Sequence, residues 1–350
     1  MPSITPFMMD GGHNQIKTCA PTGAVVEDAF PHLFATLDSG DYQRIISRAD
    51  ADTEDYFIVN GTAYVIGERA QRYNPYDRME GEQRYQESYY GVLAAIAMTR
   101  AFRKSRRNIF FVGSHPPGDA DYRDDLMAAV VRKWMVEWRD QRFEFEVVDA
   151  NTLDEPLGGY HNAILRKDGM GYQNRAIERR TTLVLDIGAF TTDGILIDPG
   201  GKIDYATAES VEIGVHSTVR QFMKDFRTAN RRLLVGNDLD EQMAQEAMRT
   251  GAFDLRGLGQ FDVQRQVQEF RNMLVAQVVK FIARYGGAAR YDTLLLTGGG
   301  SALLETELRD RIRHNNIQPA DKSIGSLHMA NVRGLRKWFL MHQAMGTFAK

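Results

Sequence analysis

Two acid-glycine segments, each at the end of an apolar stretch, constrain the fold of this chain more than any other feature. The first is Asp10–Gly12 after the apolar run Ile4–Met9, and the second begins at Asp186 after the run from Thr182. Polar and apolar residues alternate after the first, so a strand, a tight turn and a returning strand are predicted, and the second repeats this order. One such turn is usually a plain hairpin connection. Two of them, one opening each half of the chain, favour a clamp around a magnesium-polyphosphate group over two unrelated hairpins.

The residue types in these turns suit phosphate and magnesium. Glycines such as Gly11 let backbone N–H groups approach phosphate oxygens, and Lys17 on the returning strand can neutralise their charge. The carboxylate of Asp10 suits a hard divalent cation that keeps its waters. The second turn repeats this order, with Asp186 followed by small residues and then by hydroxyls.

A third segment, Leu294–Ala302, runs from an apolar strand through three glycines into a helix. Such a loop exposes backbone N–H groups at a helix N-terminus, where an anionic or polar ligand is favoured. It is not a P-loop, because no lysine follows in the required Gly-Lys-Ser/Thr order. The spaced glycines of a dinucleotide-binding fingerprint are also missing.

The remaining pattern predicts two similar α/β halves. Asn60-Gly61 between apolar runs predicts a hairpin over Tyr56–Ile66. A helix is expected from about Tyr122 to Arg139, with its tryptophans as core anchors, and Asn151–Arg180 is expected to be an irregular connection between the halves. Further strands are expected at Ile109–Gly113, Phe143–Val148 and Thr293–Thr297, and helices at about Glu82–Arg103, Gly214–Arg227, Asp238–Thr250, Val263–Tyr285 and Leu327–Phe348.

Composition restricts the class of protein. A chain of 350 residues, 43% hydrophobic and 25% charged, can bury enough surface for two domains. The net charge of -3 disfavours direct binding to nucleic acid. The single cysteine, Cys19, excludes a disulfide framework and suits a cytoplasmic location. No apolar run approaches the roughly 20 residues of a membrane span, and the N-terminus lacks the pattern of a secretory signal, so neither is expected.

In their order and spacing, the three segments resemble the phosphate-1, phosphate-2 and adenosine motifs of the actin, sugar kinase and heat-shock chaperone superfamily. The chain looks most like bacterial and plasmid actin-like proteins of the ParM/StbA type, with further similarity at Gly61–Glu68, Phe111–Pro117 and Ala330–Leu335. The resemblance implies an α/β actin-like fold: two related ribonuclease-H-like lobes with a nucleotide cleft between them. Lobe I would comprise residues 1–165 and 327–350, with a small β-rich subdomain at about 21–90. Lobe II would comprise residues 166–326, with a helical subdomain at about 226–286.

The resemblance also implies the ligands and their contacts. The cofactors would be ATP, with GTP as an alternative, and Mg²⁺ held through water by Asp10 and Asp186. Both aspartates would act in catalysis. Ala189 and Phe190 stand where many relatives have a second glycine and a small residue, which would displace this turn. The nucleotide would contact Gly11, Gly12, His13, Asn14, Lys17, Gly188, Ala189, Phe190, Thr191, Thr192, Gly298, Gly299, Gly300 and Ser301.

Hydrolysis needs a group that orients or deprotonates water in line with the γ-phosphate. The resemblance places this group after the strand Phe143–Val148, where the chain has Asp154–Gly158. Glu155 is the candidate. The alternative is that Glu155 is an exposed loop carboxylate.

Three functions are compatible with these motifs. The first is an ATPase that polymerises head to tail into filaments and segregates plasmid or other DNA through an adaptor protein, without sequence-specific DNA contact of its own. The second is an actin-like nucleotide switch or scaffold that does not polymerise. The third is a small-molecule kinase, for which the sequence offers no convincing catalytic aspartate.

Overall fold

The structure is a computed structural model that describes residues 4–22, 24–46, 54–73, 81–102, 106–232, 234, 239–255, 259–287, 289–322 and 327–347. The chain divides into two compact units. Unit 1 is Met1–Gln173 with Asn331–Lys350, and unit 2 is Asn174–Ala330. The helix ends expected at Arg103, Asp238 and Phe348 lie outside the described residues. Among the residues described, no helix is long and apolar enough to cross a membrane.

Unit 1 is built around one large sheet. Its elements in chain order are β1 (Ile4–Asp10), β2 (Gln15–Thr22), β3 (Ala24–Pro31), β4 (Phe34–Leu37), α1 (Ser39–Ile46), β5 (Tyr56–Val59), β6 (Thr62–Ile66), α2 (Val92–Ala101), β7 (Arg106–His115), α3 (Arg123–Val130), β8 (Lys133–Trp138), β9 (Gln141–Asp154) and α4 (Glu155–Ile164). Short 3₁₀ segments lie at Gly67–Tyr73, Gly81–Tyr85 and Pro117–Tyr122, and a π-helical turn at Glu87–Gly91 leads into α2. The strand order is β3-β2-β1-β7-β9-β8-β5-β6-β4.

Unit 2 has a smaller sheet. Its elements are α5 (Arg175–Glu178), β10 (Thr182–Ile187), β11 (Thr192–Asp198), β12 (Lys202–Val211), α6 (Val215–Ala229), α7 (Glu241–Thr250), β13 (Ala252–Leu255), β14 (Gly259–Asp262), α8 (Gln264–Ala283), β15 (Thr293–Thr297), α9 (Gly299–Arg311) and β16 (Ile317–Pro319). A 3₁₀ turn, Leu327–Met329, precedes α10 (Ala330–Ala344), most of which belongs to unit 1. The sheet order is β12-β11-β10-β15-β16, and β13 pairs with β14.

The two units share one topology. In each unit, three consecutive strands form an antiparallel meander, and the first of them in the chain also pairs with a parallel strand that has a further parallel neighbour. The order is β3-β2-β1-β7-β9 in unit 1 and β12-β11-β10-β15-β16 in unit 2. The expected pair of related α/β lobes is therefore confirmed. The carboxyl ends of parallel strands meet at one edge of a sheet, so each unit gathers its strand-end side chains there.

Most strands and helices form where the sequence predicts them. The Asn60-Gly61 hairpin is confirmed, since β5 and β6 pair and both turn residues have positive φ (47° and 88°), as a type I′ turn requires. The helix α10 crosses α4 so closely that a Cβ on Gly334 would lie 1.6 Å from the carbonyl oxygen of Gly158. Only glycine permits that contact.

Two expectations are wrong. The helix expected over Tyr122–Arg139 ends at Val130, and the chain continues as β8, antiparallel to β9. Trp134 and Val136 alternate with exposed residues in this strand, so their spacing of two, not the helical spacing, decides the structure. The segment Asn151–Arg180 is not an irregular connection throughout, because β9 extends to Asp154 and α4 follows directly.

Candidate functional site

The first turn surrounds a buried carboxylate. Asp10 ends β1 and pairs in register with Lys17 on β2 and Ser114 on β7. It is 1% exposed, and its Oδ2 lies 2.9 Å from the Nζ of Lys17. The hydroxyl of Ser114 donates to Oδ1 at 3.4 Å. The carboxylate is therefore held between a cation and a hydroxyl at the carboxyl edge of the parallel strands.

The carbonyl groups of this turn are bound by side chains of the protein. Arg84 donates to the carbonyl oxygen of Gly11 at 2.6 Å, and the Nδ1 of His32 donates to that of Gly12 at 2.8 Å. In a trans peptide the C=O and the following N–H point in opposite directions. The N–H groups of Gly12 and His13 therefore point away from Arg84 and His32. His13 and Asn14 are half-buried in the same turn.

The two glycines of the first turn differ in their surroundings. A Cβ on Gly11 would lie 2.8 Å from a ring carbon of Tyr90, which packs beneath the turn. A Cβ on Gly12 would lie 3.3 Å from the carbonyl oxygen of Gln15, a tight contact, and 3.6 Å from the Nζ of Lys17, an ordinary one. Gly11 is needed for packing, whereas the space next to Gly12 opens toward the ammonium group of Lys17.

Glu155 lies at the start of a helix and not in a loop. It is the first residue of α4 and is 9% exposed, so the alternative of an exposed loop carboxylate is wrong. The carboxyl end of β9 delivers it to the same sheet edge as Asp10, because β1, β7 and β9 are parallel neighbours. Glu155 interacts electrostatically with Arg84, Tyr85 and Tyr90.

A histidine-aspartate pair lies directly before Glu155. His115 at the end of β7 is in register with Asp154, and its Nδ1 lies 3.3 Å from Oδ1 of Asp154 and 3.0 Å from the carbonyl oxygen of Pro116. Two acceptors face this nitrogen, so Nδ1 carries the proton. Burial lowers the pKa of His115 and raises the pKa of Asp154, while their mutual attraction opposes both changes.

The second turn repeats the first in unit 2. Asp186 pairs in register with Asp193 on β11 and Thr297 on β15, and it is 3% exposed. In both hairpins the residue opposite the aspartate is the seventh after it. A Cβ on Gly298 would lie 2.1 Å from Oδ1 of Asp186, so the carboxylate packs directly on that glycine.

Hydrogen bonds within unit 2 hold the rest of the second turn in place. The N–H of Gly188 donates to the carbonyl oxygen of Thr191 at 2.9 Å, and the hydroxyl of Thr191 donates to Asp193 at 2.9 Å. The N–H of His216 at the start of α6 donates to the carbonyl oxygen of Ala189, and its ring lies 4.2 Å from that of Phe190. The hydroxyl of Thr192 is engaged differently, because it donates to the carbonyl oxygen of Ile213.

The third segment forms the tight entry to α9. Gly298 has a φ of 84° and a ψ of 159°, a conformation that is essentially restricted to glycine. Gly299 is exposed, whereas Gly300 packs on Ile187. Ser301 is fully buried, and its hydroxyl donates to the carbonyl oxygen of Thr297. The exposed backbone of this segment is therefore at Gly299.

The structure brings the predicted residues together in two groups, one in each unit. Asp10, Gly11, Gly12 and Lys17 form the first, at the sheet edge that also carries Glu155. The second comprises the residues at Asp186–Thr192 with Gly298–Ser301. Sequence reasoning missed the side chains that support these groups: Arg84, His32, Tyr90, Ser114, His115, Asp154 and Asp193. Asp193 could have been found from the equal spacing in the two hairpins.

Comparison with known proteins identifies the fold. Residues 184–310 match a family model described as archaeal actin homologue MreB-like, C-terminal. A search of curated proteins by sequence gave no match. Among solved structures, the archaeal actin homologue Ta0583 has a TM-score of 0.76 at 17% identity and covers 96% of this chain and 99% of its own.

Two further solved structures are of actin-like proteins, and one of them is a ParM, the type that the sequence motifs resemble. The actin-like protein Alp7A has a TM-score of 0.73 at 13% identity, covering 98% of this chain and 97% of its own. A ParM of Bacillus thuringiensis, solved with AMPPNP, has a TM-score of 0.70 at 12% identity, covering 97% and 99%. Over nearly its whole length, then, this chain has the fold of the ParM, Alp7A and archaeal actin homologues.

Proposed function

We propose that the protein binds ATP with Mg²⁺ and hydrolyses it. The observation that carries the proposal is the repeated hairpin. Each unit places a buried aspartate within the last two residues of an equivalent strand, and a parallel neighbour supplies a hydroxyl residue beside it, Ser114 or Thr297. Solved structures of similar fold contain ADP, ATP or AMPPNP, which supports the same ligand class here.

The first turn has the groups that a polyphosphate requires. We propose that the N–H groups of Gly12 and His13 bind the phosphates together with the ammonium of Lys17. Lys17 already contacts Asp10, so phosphate binding would exchange one counter-charge of the lysine for another. In unit 2, we propose that the N-terminus of α9 at Gly299 contacts the nucleoside. Ser301 would support this segment and would not touch the ligand.

The donor set fits a hydrated magnesium ion. Within the described part of the chain, no group of three or more histidine, cysteine, aspartate or glutamate side chains could hold a metal. Mg²⁺ commonly keeps several waters and uses one or two carboxylates together with substrate phosphates. Asp10 and Asp186 would supply those carboxylates through water, and the ion would neutralise phosphate charge.

Glu155 is the residue that we propose acts on water. In hydrolysis, water attacks the γ-phosphorus, the bond to the bridging oxygen breaks, and ADP and phosphate leave. A carboxylate at the start of α4, at the sheet edge of Asp10, can orient that water and accept its proton. His115 and Asp154 would fix the entry to the helix.

We propose further that ATP binding drives assembly of the protein into filaments in the cytoplasm, and that the filaments move plasmid or other DNA through an adaptor. The similarity of fold to ParM and Alp7A supports this reading. The net charge of -3 agrees with DNA contact through a second protein.

One experiment separates the candidate functions. Light scattering and phosphate release are followed together with ATP, ADP or AMPPNP. Scattering with ATP and AMPPNP, and filaments on the grid, are the expected result. ADP formation that needs an added sugar and occurs without phosphate release would refute the filament ATPase and indicate a kinase. Nucleotide binding without scattering would indicate a switch.

A matched pair of variants tests Glu155. Glu155→Gln keeps the size of the side chain and should slow phosphate release by about 10²-fold or more while ATP still binds. Glu137→Gln, at an exposed position of β8, should leave the rate unchanged. Equal rates in the two variants would remove Glu155 from the mechanism.

A further inference from the structure

A buried aspartate at the start of α4 does not cap that helix. Asp154 is the N-cap residue, and its side chain makes no capping hydrogen bond. Aspartate is among the residue types that cap best, because its carboxylate accepts a hydrogen bond from the N–H of the second or third helical residue. The second is Pro156, which has no N–H, so the donor for such a cap would be Leu157. The sequence therefore provides a cap that the structure does not use.

The carboxyl group of Asp154 faces a histidine instead. Its Oδ1 lies 3.3 Å from the Nδ1 of His115, and the two residues are in register on β9 and β7. The same nitrogen lies 3.0 Å from the carbonyl oxygen of Pro116. His115 is 1% exposed and Asp154 is 7% exposed, so little water competes for this contact. A polar contact away from water is stronger than one at the surface.

One nitrogen of His115 makes all the polar contacts that the ring has in the described part of the chain. Nδ1 faces the two oxygens, whereas Nε2 is buried there without a hydrogen-bond partner. Burial lowers the pKa of His115, so the ring is neutral near pH 7 and donates through Nδ1 as an uncharged group. A neutral side chain with a donor at the position of Nδ1 can therefore replace the histidine.

We propose that His115 is a positioning residue for Glu155. It holds the carboxyl group of Asp154 at the end of β7, so that this side chain does not turn back onto α4. Glu155 is the next residue, and its position is then determined by the sheet and not by a helix cap. The kinetic consequence rests on the proposed hydrolysis of ATP. The contact between His115 and Asp154 concerns the protein without nucleotide.

Two substitutions of the histidine test this inference. In His115→Asn, the amide nitrogen can take the place of Nδ1, whereas in His115→Gln the longer side chain carries its amide to the place of Nε2. His314→Gln makes the same change in unit 2 and is the matched control. For each full-length protein, kcat and KM for ATP are measured. Exchange of the Leu157 amide hydrogen is followed by NMR without nucleotide.

The expected results differ between the variants. In His115→Gln, the released carboxyl group of Asp154 should cap α4 and slow exchange of the Leu157 amide about fivefold. The kcat should fall about tenfold or more, because Glu155 is displaced, while KM stays within about twofold. His115→Asn should keep the wild-type exchange and kcat, and His314→Gln should change neither. Adding Asp154→Ala to His115→Gln should remove the slower exchange.

Each remaining outcome has one meaning. Exchange of Leu157 that is the same in wild type and His115→Gln overturns the inference, whatever the protein does with ATP. Slower exchange with an unchanged kcat overturns the positioning role of His115. A wild-type protein that does not hydrolyse ATP refutes the proposed function alone, because the exchange still decides whether His115 holds Asp154. If His115→Gln does not fold, His115→Asn decides: exchange of Leu157 that differs from the wild type overturns the inference.

Discussion

Replacing Gly298 by alanine should destabilise unit 2 more than any ordinary glycine substitution. The residue has a φ of 84° and a ψ of 159°, where a side chain costs about 1–3 kcal/mol. The new Cβ would lie 2.1 Å from Oδ1 of Asp186 and 2.5 Å from the carbonyl oxygen of Ile187. Normal contacts between such atoms are about 3.5 Å, so the carboxylate and the end of β10 must both move. Overpacking of this kind costs about 1–3 kcal/mol in addition.

The expected loss of unfolding free energy is therefore about 2–6 kcal/mol. Gly200→Ala is the control, because Gly200 also lies in unit 2 with a φ of 84° and a Cβ there would meet nothing within 4 Å. That variant should lose about 1–2 kcal/mol. Urea denaturation followed by circular dichroism measures both losses. Hydrogen exchange in peptides that span β10 and β15 assigns the loss to unit 2.

The same variant should also weaken nucleotide binding, because Asp186 is displaced from the position that its strand defines. Titration calorimetry with ATP measures this effect under conditions in which the variant is folded. If Gly298→Ala loses no more stability than Gly200→Ala and keeps its affinity, the close contact between Asp186 and Gly298 does not exist in solution.

Three other predictions follow from local geometry. Gly12→Ala should lower the urea midpoint only modestly, because its Cβ would press on the carbonyl oxygen of Gln15 at 3.3 Å, but it should lower ATP affinity about tenfold in calorimetry, since it fills the space next to Lys17. Burial, with a smaller contribution from His342, lowers the pKa of His161 to about 3. The histidine of the unfolded chain titrates near pH 6.5, so below that pH unfolding takes up a proton. The free energy of unfolding therefore falls as the pH is lowered, by up to about 1.4 kcal/mol per pH unit. The urea midpoints at pH 7 and at pH 5.5 should differ less in His161→Gln than in the wild type. Gly334→Ala should cost about 2 kcal/mol or more in the same assay, because its Cβ overlaps a carbonyl of α4.

The parts of the fold that the sequence predicts are those determined locally. An aspartate followed by glycines after an apolar run specifies a strand and a turn whatever surrounds it, so the first turn, the hairpin at Asn60 and the entry to α9 could all be found. The sequence pattern places Trp134 in a helix, because Leu126, Val130 and Trp134 have a helical spacing. Trp134, Val136 and Trp138 have the spacing of a strand as well. The pairing of β8 with β9 selects the second.

The supporting residues of the site depend on contacts between distant parts of the chain. Arg84 binds the carbonyl of a residue 73 positions earlier, and Ser114 reaches a carboxylate 104 positions away. No pattern within a short window distinguishes Arg84 from a surface arginine. Glu155 is buried only because β9 extends to Asp154 and starts a helix there, in a segment whose glycines and charges are typical of a loop.

The repeated hairpin places different residues opposite its two aspartates. Opposing residues in an antiparallel pair lie on one face, with Cβ atoms about 5 Å apart. Opposite Asp10 that position holds Lys17, whereas opposite Asp186 it holds Asp193. In the first turn the aspartate is thus paired with a cation. The second brings together two buried carboxylates, of which the hydroxyl of Thr191 satisfies one oxygen of Asp193. The two turns therefore differ in charge, because the residue that faces the strand-end aspartate is a lysine in the first and a second aspartate in the second.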